Sequence, residues 1–210
     1  MRSVSALRRR LRDADGNRQR GAALVEFALI APVLVLIVAA IFEFGLAFRD
    51  SMTLSNALRS GARVGSNAGR ERQADYTILK SIEAAMTEFP TARVERIIVY
   101  KASTSDSAPP AACLAVTGSG GVNTSTVKCN VYQSSDLARP LSDFGGTTSC
   151  SATSPDRFWC PTARQNQQAL GADYLGVWMQ IRYEYVTNVF PGSGITIRDR
   201  AIMRLEPRLT

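Results

Sequence analysis

The chain of 210 residues contains no histidine. That absence removes the commonest general base and the commonest metal ligand, and with them histidine triads and the ordinary zinc hydrolases. Cysteine is scarce too. Cys113, Cys129, Cys150 and Cys160 are the full set, and no two of them form the C-x-x-C pair of a thiolate metal site. The carboxylates Asp136, Asp143 and Asp156 fall in turn-rich segments and read as solvated loop residues. No catalytic residue, cofactor or metal is expected, and the chain reads as a non-enzyme.

Charge is nearly missing from one long stretch. Between Ala22 and Phe48 the only ionisable side chains are Glu26 and Glu43. As a helix this run would extend about 40 Å, enough to cross a bilayer. It is too long for the apolar region of a removable signal peptide and no small-residue cleavage site follows it, so the helix is expected to stay in the mature protein. Basic residues crowd in front of it. Seven arginines against two aspartates precede Gly21 and hold +5 of the formal charge of +7. By the positive-inside rule these arginines keep the N-terminus in the cytoplasm and send the rest across the membrane. Because the excess charge sits ahead of an apolar helix, the isoelectric point near 9.6 does not argue for nucleic-acid binding.

A carboxylate inside hydrocarbon costs at least roughly 2.5–3.5 kcal/mol, so Glu26 needs a partner. Cleavage after Gly21 would create one, since the new ammonium of Ala22 would lie one helical turn away. Glu43 falls near the outer membrane boundary. It reads as an interfacial carboxylate, with a contact to another subunit or to Arg49 as the alternative.

The helical pattern continues past Arg49. Leu54, Ala57, Leu58, Gly61, Gly65 and Ala68 recur at three- and four-residue spacing while Arg59, Arg63 and Arg70 share another face, which predicts one helix of about 45 residues with a small-residue stripe on its outer half. Pro32 is expected to kink or locally unwind it. A second helix is expected from Asp75, as N-cap, to Glu88, with Ile78, Leu79, Ile82, Ala85, Met86 and Phe89 buried and Pro90 as the stop. Val94–Tyr100 reads as a strand. Residues 101–173 are rich in Ser, Thr, Gly, Ala and Pro and are expected to form a loop-rich insertion stapled by disulfides. From Tyr174 a period of two returns, with Leu175, Val177, Met179, Ile181, Tyr183 and Tyr185 on one face of a half-buried strand. Ile195, Ile197, Ala201, Met203 and Leu205 alternate after the turn Phe190–Gly194, so the two strands should form an antiparallel hairpin.

The four cysteines lie on the outer, oxidising side and predict two disulfides. The pairings Cys113 with Cys129 and Cys150 with Cys160 close the shorter loops, each stabilising by something like 3 kcal/mol. Phe158 and Trp159 beside Cys160 would be either an exposed anchor or rings tucked against the disulfide.

Three blocks carry a resemblance. Gly21-Ala22-Ala23-Leu24-Val25-Glu26-Phe27-Ala28-Leu29-Ile30-Ala31-Pro32, then Glu43-Phe44-Gly45, then Asn56-Ala57-Leu58-Arg59-Ser60-Gly61-Ala62-Arg63 resemble the TadE-like family of Tad (tight adherence, Flp) pilus proteins. Ala201-Ile202-Met203-Arg204-Leu205-Glu206-Pro207 is similar to the ending of such proteins. The larger Tad-associated type with a metal-dependent adhesion domain does not fit, because no Asp-x-Ser-x-Ser loop occurs. The resemblance implies a type IV pilin-like α+β fold in which a long N-terminal helix packs on a small antiparallel sheet. It implies a minor pilin or pseudopilin, cut by prepilin peptidase between Gly21 and Ala22, with Glu26 and Phe27 as the assembly residues. Its partners would be the peptidase, other Tad minor pilins, the major pilin and the inner-membrane assembly platform. Its place would be the inner membrane, single-pass with the C-terminal domain periplasmic, or the pilus tip. The expected organisation is a cleavable leader over 1–21, a transmembrane helix over 22–48, its extracytoplasmic continuation over 49–70, and an outer domain over 71–210. The alternative is a signal-anchored periplasmic binding or adhesion module outside any fibre.

Overall fold

The computed structural model describes residues 3–86, 91–146, 149–167, 171–187 and 190–207. Its first element, α1, runs from Ser3 to Ala68. It passes Pro32 without an unwound turn and Asp50–Ser51 without a break, so the apolar run and the small-residue stripe belong to one helix. The helix also takes in residues 3–20, where arginine, leucine, alanine and glutamine favour helix by propensity.

By packing, the chain divides into two units: Met1–Leu46 with Val186–Pro191, and Ala47–Tyr185 with Gly192–Thr210. The second unit is an α+β domain. After α1 come α2 (Ala74–Ala85), β1 (Val94–Ala102), the short α3 (Ala111–Leu114), β2 (Gly120–Asn123), β3 (Lys128–Tyr132), β4 (Tyr174–Glu184) and β5 (Gly194–Arg204). The five strands make one sheet in the order β2-β3-β1-β4-β5, and every neighbouring pair is antiparallel. The hairpin expected at the C-terminus is β4–β5, with Ile181 opposite Ile197.

One face of the sheet is covered by the outer part of α1 and by α2. Leu54, Ala57, Leu58 and Ala62 of α1 and Ile78, Leu79 and Ile82 of α2 close a core against Ile97, Val99, Leu175, Val177, Met179 and Ile181. The small residues set the distance. A Cβ on Gly61 would stand 2.8 Å from Ile82 Cγ1, and one on Gly65 would stand 2.7 Å from Ile78 Cδ1. Glycine there lets α2 approach α1 closely, as the stripe predicts.

Several expectations need correction. Asp75 is not the cap of α2. Gln73 holds that position, and the Asp75 side chain turns into the interior, where buried donors claim it. Ala85 is exposed, while Ile78, Leu79, Ile82 and Met86 are buried as expected. Glu88, Phe89 and Pro90 lie outside the described residues. Residues 101–173 are loop-rich as expected, and within them lie the short strands β2 and β3. Neither strand alternates clearly, because β3 gains its order from pairing with β1 at Ile97–Tyr132 through Tyr100–Cys129. Finally, β4 is not half-buried. Gly176 and Trp178 on its second face are also buried, under a small cluster that includes Tyr100, Cys113 and Cys129.

Candidate functional site

Gly21, Ala22, Glu26 and Phe27 all lie on α1. A Cβ on Gly21 would meet nothing within 4 Å. Glu26 is exposed and Phe27 is 65 % exposed. From Leu24 to Phe44 the large apolar side chains stand uncovered, and α1 over this stretch has the length and hydropathy of a membrane span. In the intact chain Ala22 contributes an amide; only a cut after Gly21 would turn it into an ammonium one turn from Glu26.

Glu43 behaves differently from the solvated interfacial carboxylate that its position suggests. It is buried, and its Oε1 accepts the backbone N–H of Thr187 at 2.6 Å and the Thr187 hydroxyl at 3.0 Å. Phe44 beside it meets Phe190 edge-on, with ring centroids 6.1 Å apart. Thr187 and Phe190 belong to the turn between β4 and β5, within the same unit as Glu43. No sequence pattern links positions 144 residues apart, so this contact had no local signal.

In the outer unit, disulfides join Cys113 to Cys129 and Cys150 to Cys160, with Cα separations of 6.3 Å and 5.5 Å. Trp159 is buried, which settles the two readings of Phe158-Trp159 for the tryptophan in favour of a tucked ring. Around it lies a polar cluster. Asp75 accepts from Tyr132 Oη at 2.6 Å and Asn130 Nδ2 at 2.7 Å, and it pairs with the guanidinium of Arg164. Arg164 stacks over the Trp159 ring at 4.4 Å and donates to the Trp159 carbonyl at 3.2 Å. Its Nε and Nη1 have no hydrogen-bond partner among the described residues. The cluster ties the 101–173 segment to α2, and Arg164 was invisible in a stretch without periodicity.

Two of the three carboxylates read as solvated are not. Asp156 is buried, taking the Gly145 N–H at 3.0 Å and the Ser154 hydroxyl. Burial, reinforced by the Asp75 carboxylate, pushes its pKa up. Asp136 is buried as well and accepts the Gln133 N–H at 2.8 Å, closing its own turn. Asp143 is partly exposed and faces Arg139 at 3.3 Å. Asp136 folds back onto the backbone of its own turn, and Asp156 is claimed by Gly145 eleven residues away, neither of which composition alone discloses. On the sheet, Trp178, Arg198, Arg200 and Ile202 line a cleft of about 410 Å³ with Ser105, Asp106 and Asp199. Arg200 reaches Asp106 there at 3.0 Å.

Residues 21–63 match the family described as TadE-like protein. The chain carries a TadE-like segment. That segment opens on Gly21 and contains Ala22, Glu26, Phe27 and Glu43. The match stops short of α2 and takes in neither the disulfides nor residues 201–207. No curated protein and no solved structure matches the chain.

Proposed function

We propose that the protein is a minor pilin or pseudopilin of a Tad-type pilus, matured by prepilin peptidase after Gly21 and active at initiation or at the tip of the fibre. The observation that carries this reading is the position of Gly21, Ala22, Glu26 and Phe27 at the head of the TadE-like segment, on a helical stretch whose side chains stand uncovered. The leader arginines hold the N-terminus in the cytoplasm and the disulfide-bearing unit lies in the periplasm. The work done is assembly, not catalysis.

The mechanism follows from charge in a low dielectric. After cleavage, the Ala22 ammonium of one subunit and the Glu26 carboxylate of its neighbour each stand in hydrocarbon unless they meet. An unpaired ion there is penalised more than a paired one is rewarded, so charge pairing selects the axial register of packed helices. Phe27 packs beside that pair.

Two measurements test the reading. The intact mass of membrane-extracted protein should correspond to a chain starting at Ala22 when the peptidase is present and to the uncut chain when it is absent. Retention of the leader in peptidase-positive cells would refute maturation. Glu26→Ala should still insert and be cut, yet leave cells without assembled fibres. Normal fibres from that variant would sink the pairing mechanism.

A further inference from the structure

The turn between β4 and β5 sits against α1 at a depth that the sequence itself fixes. A span of about 30 Å needs about 20 apolar helical residues. Counted from Ala23, those residues end just before Glu43, so Glu43 stands where hydrocarbon gives way to headgroups. Thr187 and Phe190 are held at that level by the two hydrogen bonds to Glu43 and by the Phe44 ring. The six residues Val186–Pro191 include no charged side chain, an unusual composition for a hairpin turn in water. Val186 is 58 % exposed and Phe44 is 67 % exposed, so this end of the unit presents an apolar surface continuous with the apolar span below it.

We propose that the β4–β5 turn is a second membrane contact, a wedge seated at the headgroup–acyl boundary of the outer leaflet and held to the helix by Glu43 as its positioning residue. The proposal rests on the membrane-spanning reading of α1. Two donors from Thr187 replace the water that a boundary carboxylate would otherwise hold, and Val186 and Phe190 meet the acyl chains. The partner is the apolar layer of the bilayer. Lipid charge therefore has no part in the contact.

The test places a nitroxide on the full-length protein at Val186→Cys, the native cysteines being locked in disulfides, in vesicles of phosphatidylcholine alone or mixed with phosphatidylglycerol. Collision with oxygen and with a water-soluble nickel chelate then reports depth. A label at Leu34→Cys should read deep hydrocarbon, and failure there would overturn the spanning reading together with the proposal. With Leu34→Cys deep, the Val186→Cys label should be oxygen-accessible and largely shielded from nickel, equally in both lipid mixtures. Free nickel access, or shielding from both reagents by protein contact, would overturn the wedge alone. Adding Glu43→Ala should raise nickel access at position 186 severalfold and leave position 34 unchanged; no change at 186 would remove Glu43 from the role.

Discussion

Leu29 stands 72 % exposed in the first part of α1, whereas Leu58 in the later part is fully buried. The two stretches share one helix and one residue type yet need different solvents. Residues 23–42 carry Leu, Val, Ile and Phe around the whole circumference, and those large side chains stand exposed among the described residues. Residues 54–66 carry a stripe of Ala and Gly that α2 and β4 fill from outside. Lipid tails are as apolar as leucine, so bulky side chains suit a helix dissolved in lipid, while small ones suit a helix that must be approached by protein. Side-chain volume along α1, more than hydropathy, marks where the uncovered candidate span gives way to the packed stretch.

The sharpest way to break this contrast is to unfold one side of it. Asp75→Ala leaves the Arg164 guanidinium buried against Trp159 with its anionic partner gone. Breaking a buried pair from one side costs about 3–5 kcal/mol. Both tryptophans, Trp159 and Trp178, are buried in the outer unit, so their fluorescence in urea titrations of the detergent-solubilised chain reports that unit. The midpoint should fall steeply for Asp75→Ala while membrane insertion of residues 23–46 is unaffected. An unchanged midpoint would show that the cluster adds nothing.

A smaller loss is expected from opening the Cys150–Cys160 loop. Cys150→Ser with Cys160→Ser should cost about 3 kcal/mol, since the crosslink restricts the unfolded chain. The same titration measures it, and the wild type under reduction should move toward the double variant.

The contrast along α1 itself can be tested by one methyl group placed twice. At Gly65 a new Cβ would stand 2.7 Å from Ile78 Cδ1 and 3.0 Å from Leu175 Cδ2, so Gly65→Ala overpacks the core and should cost about 1–3 kcal/mol. At Gly45 the same methyl meets nothing within 4 Å, so Gly45→Ala should leave the urea midpoint where it is. Equal losses from the two would mean that the stripe is not a packing surface.

These residues also show what was legible in advance. Periodicity disclosed α1, the face of α2, β4 and β5, because each repeats one chemical choice at 3.6- or 2-residue spacing. The four residues proposed for processing and assembly lie within seven positions of one helix, so a local pattern was enough to single them out. What stayed hidden joins distant positions: Glu43 to Thr187, Asp75 to Arg164, and β3 to β1 inside a stretch whose composition resembles loop. Asp75 shows the cost of reading locally. A carboxylate at the start of a helix suits a cap, and only the partners brought by the 101–173 segment reveal that it serves the interior.

The subtlest expected effect is a pH dependence confined to the outer unit. Burial and the neighbouring Asp75 carboxylate raise the pKa of Asp156 above its ordinary value, so the folded unit holds that proton more tightly than the unfolded chain does. The sign follows by linkage. The stabilisation from this group is complete below the unfolded value, about 3.9, and is lost as pH rises through the folded value. Asp156→Asn keeps an acceptor for the Gly145 N–H but cannot ionise, so it lacks this dependence. The midpoint difference between wild type and variant should therefore move in the variant's favour as pH climbs from about 4 through the raised value, and level off above it. Asp75→Asn would disturb Arg164 directly and cannot serve as the control, whereas Asp143→Asn, on the partly exposed carboxylate facing Arg139, can. A difference that is flat with pH would mean that the Asp156 pKa is the same in the folded and unfolded chains, and that Ser154 and Gly145 solvate its charge as well as water does.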